Sequence, residues 1–371
     1  MTQPDTEGGD VLNALLGLDD ASALAQLRAR RPEATAHMQG SYQALFVADS
    51  ATAVSRVERF ATALRVAALH TEPALVEHYL ARLRAAAPDS ARLVADVQAG
   101  PGAAGLPARL RAMLAHADLL VIRPAAARPA DLEALQRAGL SAPEIVTVSQ
   151  VIAFTSFQVR VFVGLTLLRG DERAVPTARI GPRDATNAGF TQEQLDWAPW
   201  IVPFEAADAT DEQRAVLPGR RIESPYFRLL ALDPAVLGER TATDMGIFYT
   251  HEGLPRAERE LSATVTSRVN GCIYCASVHS RQAAQISKRV GDVQRLLDVG
   301  IGAELDDRWR AVTDLAAALT VTPPAATQTH IRRLRELGLE DLEILDAIQS
   351  AAFFGWANRL MLTLGEPVRP A

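Results

Sequence analysis

From Val11 to about Leu168, apolar residues recur at intervals of three and four among Ala, Leu and Arg, and two-residue alternation is scarce, so the pattern predicts helices throughout. Pro73, Pro88, Gly100-Pro101-Gly102, Pro124-Ala125-Ala126 and Pro143 interrupt it and mark helix starts or connections. Val151 to Leu168 approaches the length of a membrane span, but Gln158 and Arg160 fall inside it, so a buried or interface helix is the better reading. Arg169 to about Arg221 is different in character. It carries breakers at Pro176, Pro182, Pro199, Pro203 and Pro218 and an aromatic group at Phe190, Trp197, Trp200 and Phe204. A free linker has no use for two tryptophans, so Trp197 and Trp200 are expected to dock on a neighbouring domain, with walling of a substrate pocket as the second reading. Beyond it, Leu254 to Leu261 opens a helical run that Asn270-Gly271 stops, and a further helix begins at Cys272.

The pattern repeats over the length of a domain. Arg56, Glu58 and Arg59 recur as Arg256, Glu258 and Arg259. With the offset shortened by one residue, Leu106, Arg109, Arg111 and Pro124 recur as Leu305, Arg308, Arg310 and Pro323. The closing helix repeats best, with Gln150, Phe154, Phe157 and Arg160 answering Gln349, Phe353, Trp356 and Arg359. The expected organisation is therefore all-α, with one helical domain over residues 1–168, a connector over 169–222 and a second copy over 223–371. The glutamine–arginine pair could be a substrate anchor, but both copies keep it, which favours a packing or interface role.

Composition narrows the class. The chain has 371 residues, 48% hydrophobic and 22% charged, enough apolar content for a sizeable core in two domains. A formal charge of -6 leaves no nucleic-acid footprint and no basic membrane-binding face, and Lys288 is the single lysine. The start, Met1 to Asp10, is polar and acidic, unlike a secretory signal, so a cytoplasmic location is expected.

The chemistry concentrates at one place. Both cysteines of the protein, Cys272 and Cys275, stand three residues apart, with His279 four residues further on. On a helix these positions share one face, so two sulfurs and an imidazole point the same way. In a reducing compartment such a pair is redox-active or catalytic rather than a structural staple, and a helix start beside an imidazole favours thiolate. A closed zinc site needs a fourth ligand, and the chain has no second Cys/His pair. Glu260 is placed to face the thiols, with Glu258 its competitor. In the first copy the equivalents of Glu260, Cys272 and Cys275 are Phe60, Glu72 and Leu75, so that copy lacks the thiols. His70 and His78, with Glu72 and Glu77, are the residues from which it could build a second site, although His and Glu on helices are usually solvated.

Arg259-Glu260-Leu261 followed by Asn270-Gly271-Cys272, Tyr274-Cys275 and His279 resembles the signature of the alkylhydroperoxidase D (AhpD-like) branch of the carboxymuconolactone decarboxylase family. Ser224, Tyr226, Phe227, Leu230 and Pro234 resemble the helices that lead into that domain. The resemblance implies an all-helical, oligomer-forming fold that reduces organic hydroperoxides with no haem, flavin or metal, recycled by a dihydrolipoamide- or thioredoxin-like dithiol. It implies Cys275 as the attacking thiolate, Cys272 as proton donor and resolving thiol, and Glu260 and His279 as the proton relay. General redox arguments would instead make the first cysteine the nucleophile, and that alternative stays open. The chain departs from the family pattern at Tyr274, where better-known members carry a second histidine, which shortens the relay. In Tyr249-Thr250-His251-Glu252-Gly253, His251 is a secondary candidate near the site. Two other function classes remain: a lyase acting on a lactone acid, which needs no thiol pair, and a non-enzymatic thiol sensor.

Overall fold

A computed structural model describes residues 9–48, 52–88, 91–175 and 189–370. Met1 to Gly8, most of the acidic start, and Pro176 and Pro182 of the connector lie outside the described residues. The first half forms α1 (Val11–Leu16), α2 (Ala23–Ala29), α3 (Pro32–Phe46), α4 (Arg56–Leu69), α5 (Pro73–Ala86), α6 (Ala91–Ala99), α7 (Ala108–Ile122), α8 (Pro129–Arg137) and α9 (Ala142–Arg169). The second part continues with α10 (Asp211–Val216), α11 (Pro225–Leu230), α12 (Pro234–Phe248), α13 (Arg256–Asn270), α14 (Ile273–Ser287), α15 (Val290–Val299), α16 (Asp307–Thr320), α17 (Gln328–Glu336) and α18 (Asp341–Leu364). Helices α2 to α9 are matched in order by α11 to α18, so the repeat read from the sequence is a repeat of helices.

The residues that recur do the same work twice. In the first copy Arg109 bridges Glu58 at 2.8 Å and Glu144 at 2.5 Å. In the second, Arg308 bridges Glu258 at 2.9 Å and Glu343 at 2.7 Å, each set tying the copy's third, sixth and closing helices together. Glu258 is thereby committed to structure, which leaves Glu260 free for the site.

The two closing helices, α9 and α18, pack on each other and form the centre of the molecule. Phe157 meets Phe353 and Trp356, Phe154 stands edge-on to Trp356 at 5.2 Å, and Trp356 Nε1 donates to Gln150 Oε1 at 2.8 Å. Gly164 permits the approach, since a Cβ there would lie 2.2 Å from Ile348. The duplicated arginines cross this interface: Arg160 donates to the Thr320 carbonyl at 2.6 Å and Arg359 to the Val121 carbonyl at 3.5 Å, each satisfying the end of a helix in the other copy. They are packing residues, as their presence in both copies suggested. By length and composition α9 could cross a bilayer, but its apolar surface is used up inside the fold.

The helical pattern did not announce two short strands, β1 (Asp196–Pro199) and β2 (Gly365–Val368), which pair antiparallel. Their hydrogen bonds are made by backbone across a long sequence separation, and no alternation of side chains marks them. This pairing fixes the connector on the second copy. Trp197 is buried there, donating from Nε1 to the Met361 carbonyl at 3.2 Å and standing edge-on to Tyr226.

Candidate functional site

The site is built on a helix–turn–helix. Helix α13 ends at Gly271, whose φ of +78° is left-handed, and Cys272 caps the N-terminus of α14. The turn reverses the chain, so α14 packs back along α13. Glu260 on α13 and His279 on α14 meet across that contact, His279 Nδ1 and Glu260 Oε2 being 2.5 Å apart. Glu260 is fully buried, and its other oxygen accepts from Arg256 Nε at 2.6 Å. The imidazole is wedged edge-on against Phe354, ring centroids 4.3 Å apart.

Both thiols are free and buried, Cys272 at 1% and Cys275 at 4% exposure. Cys275 lies with His279 on the wall of a cavity of about 210 Å³. Its pKa is lowered, chiefly because the Cys272 thiol hydrogen-bonds to it; burial opposes the shift, and His279, the Asn358 amide and Arg240 add to it. Burial pushes the Cys272 thiol well up, and its hydrogen bond to Cys275 adds to that. The two sulfurs thus divide the roles, one favouring the anion and the other holding its proton.

Burial pulls the His279 pKa down, but the Glu260 charge and hydrogen bond, aided by Cys275, more than offset it, and the net shift is upward. Burial works to raise the Glu260 pKa, and His279 and Arg256 overcome it, so the carboxylate is held below its usual range. A thiolate-favouring sulfur and a protonatable imidazole line one cavity, and the buried Glu260 carboxylate holds the imidazole from behind the wall.

Several residues around the thiols escaped sequence reasoning. Arg240 and Asp244 on α12 and Tyr226 on α11 line the Cys275 cavity. The Arg240 guanidinium is 5% exposed, lies over the Phe353 ring at 5.1 Å and donates to Tyr226 Oη at 3.4 Å. Burial raises the Asp244 pKa against the pull of Arg240. Asn358 on α18 sits beneath both sulfurs, accepting from Asn270 at 3.0 Å and donating to Ser267 Oγ at 3.0 Å. No spacing ties these positions to the Cys-x-x-Cys pair; a buried arginine and asparagine on otherwise apolar helices were the one available signal.

Other candidates are placed elsewhere. His251 is exposed and lines a separate cavity with Tyr249 and Arg221, not the one that holds Cys275 and His279. Trp197 and Trp200 dock on the second copy, and the cavity they wall is the one at Cys272, apart from that at Cys275. In the first copy His70 lies 3.3 Å from Ser156 Oγ, His78 pairs with Tyr42 at 2.9 Å, and Glu72 pairs with Arg173 at 3.0 Å, while Glu77 is exposed. His70, His78 and Glu72 each have their own partner, and burial holds both histidines neutral, His78 at about 4.

Residues 234–318, which include both thiols, Glu260 and His279, match the sequence model of the carboxymuconolactone decarboxylase family, in agreement with the resemblance read from the motif. Among solved structures, the chain is similar to a peroxidase-related protein with an alkylhydroperoxidase AhpD core from Ralstonia eutropha, at 26% identity over 43% of this chain and 86% of that one, with a TM-score of 0.39. It is also similar to a peroxidase-related protein from a Silicibacter species, at 22% identity over 50% of this chain and 94% of the other, with a TM-score of 0.38. No curated protein matches the chain.

Proposed function

We propose that the protein reduces organic hydroperoxides to alcohols through a Cys272–Cys275 dithiol/disulfide cycle, with residues 223–371 as the catalytic unit and residues 1–168 as its scaffold. The observation that carries this reading is Cys275 itself, a sulfur disposed toward thiolate, on the wall of a small cavity beside a histidine held by a buried glutamate. The Cys275 thiolate attacks the distal peroxide oxygen, the O–O bond breaks, and the alkoxide leaves as alcohol with a proton from His279. The Cys272 thiol then condenses with the Cys275 sulfenic acid, releasing water and closing the disulfide. Two electrons from an external dithiol reset the pair, as a reducing cytoplasm would provide. The sulfurs carry all the electrons, so the cycle calls on no cofactor.

The family match is compatible with peroxide reduction or with lactone decarboxylation, and the paired thiols favour the first. The test is consumption of cumene hydroperoxide by the pre-reduced protein with a dihydrolipoamide recycling system. Continuous turnover is expected. Failure to consume even one equivalent sinks the peroxidase reading and favours the lyase, in which buried Arg240 would hold a substrate carboxylate.

A pH prediction follows from the relay. The Glu260 carboxylate raises the His279 pKa, and protonated His279 lowers that of Cys275. Glu260→Gln removes the first effect, so the buried imidazole goes neutral and its support of the thiolate is lost. The pH curve for alkylation of Cys275 by iodoacetamide is expected to move to higher pH, and kcat/KM at pH 7 to fall by about 10²-fold. A curve that stays in place or moves to lower pH would remove Glu260 from the relay.

A further inference from the structure

The two sulfurs open toward different spaces. Cys275 lines the cavity of about 210 Å³ that holds His279, Arg240 and Asp244. Cys272 lines another, of about 230 Å³, and the side chains of Tyr274 and Met361 belong to both walls. The cavity at Cys272 is not made by the thiol-bearing copy alone. The connector contributes Trp197 and Trp200, the first copy contributes Ala125 and Arg128, and exposed Ala125 and Arg128 stand at its outer rim. The first copy reaches the active-site turn itself, since a Cβ on Gly271 would lie 2.7 Å from that of Ala125.

We propose that the pair is served from two sides: hydroperoxide meets Cys275 in its own cavity, and the reductant enters the second cavity and attacks Cys272. The inference rests on the peroxidase reading for the first side only. The lining at Cys272 is mainly apolar, with Trp200, Ile273 and Leu362 beside Cys272 and charge at the exposed Arg128 and Glu366, and the space is small, about 230 Å³. It suits a dithiol on a slender alkyl chain, of the dihydrolipoyl kind, better than a charged tripeptide thiol or the blunt surface of a folded redox protein. The thiol-less copy is then more than packing, because it shapes the port through which electrons return.

The chemistry runs in the same direction. A donor thiolate attacks Cys272 Sγ, the Cys272–Cys275 bond breaks, and its electron pair leaves on Cys275. With Cys272 bonded to the donor its thiol hydrogen bond is gone, but His279, the Asn358 amide and Arg240 still favour the charge that departs on Cys275. The donor's second thiol then attacks its own sulfur in the mixed disulfide, freeing Cys272, which takes up a proton, as does Cys275. The donor departs as a cyclic disulfide, oxidised by two electrons, and the pair is reduced by two.

The test isolates this half of the cycle by closing the disulfide with diamide, so that it does not depend on reaction with peroxide. Return of the two thiols on addition of dihydrolipoamide is followed by thiol titration, with folding checked by thermal melting. Ala125→Trp or, at the more exposed rim, Arg128→Trp is expected to slow reduction at least tenfold. Val278→Phe, which narrows the Cys275 cavity, should leave reduction within twofold of wild type and slow oxidation by cumene hydroperoxide instead. Wild-type reduction rates in both first-copy variants, a rate lost equally in Val278→Phe, or no reduction of the wild-type disulfide by dihydrolipoamide would overturn the proposal. Inertness of the reduced wild type toward hydroperoxide, with these reduction rates as expected, would instead overturn the peroxidase reading alone.

Discussion

Cys275→Ser is expected to consume no cumene hydroperoxide above the uncatalysed background, whereas Cys272→Ser should consume one equivalent and stop. The difference comes from what surrounds each sulfur. In Cys275→Ser the surviving thiol is Cys272, which burial keeps protonated and therefore poorly nucleophilic. In Cys272→Ser, Cys275 keeps His279, Asn358 and Arg240, and the new hydroxyl can still donate a hydrogen bond to it. Attack on the peroxide then yields a sulfenic acid with no thiol to resolve it, which dimedone should trap and mass spectrometry should place on Cys275. Catalytic turnover is lost in both variants. The reverse pattern, one equivalent consumed by Cys275→Ser and none by Cys272→Ser, would transfer the nucleophilic role to the first cysteine.

The largest structural effect is expected at Asp346, far from the thiols. Its carboxylate is 1% exposed and accepts from Arg31 Nε at 2.7 Å, Arg31 Nη2 at 2.8 Å, Arg259 Nη2 at 2.9 Å and the Leu254 amide at 2.9 Å. Arg31 comes from the first copy, Arg259 and Asp346 from the second, so the cluster joins the two. Asp346→Ala would leave two buried guanidinium groups without their anion, and a loss of about 3–5 kcal/mol in urea denaturation is expected. A loss below about 1 kcal/mol would mean that water or the neighbouring carbonyls take over both arginines. The first copy shows that the position tolerates another solution: there Thr147 stands where Asp346 stands in the second, and it donates to Asp233 at 2.6 Å, the counterpart of Arg31. The anion has moved to the other side of the contact, so one substitution in one copy cannot be compensated within it.

Much of the site was legible because it is local. Asn270-Gly271 marks a helix stop, Cys272, Cys275 and His279 fall on one face of the next helix, and a turn between the two brings Glu260 back beside His279. The choice of Glu260 over Glu258 needed more. Both lie on α13, and only the packing of Arg308 against Glu258 shows which carboxylate is already engaged. His251 is close in sequence to a site helix, yet it lines a different cavity, because nearness along the chain does not fix which space an exposed loop residue faces.

The sequence by itself determined the helical periodicity, the tandem repeat, the helix break at Gly271 and the thiol–imidazole register, all of which depend on neighbours within a turn or two or on a recurring pattern. Tertiary structure alone decided what those helices meet. The strand pairing of the connector, Arg240 over the aromatic rings, Asn358 beneath the sulfurs and the Ala125–Arg128 rim at Cys272 join segments far apart in the chain. Burial and the sum of nearby charges then set the thiol and imidazole equilibria, and neither quantity exists until the chain has packed.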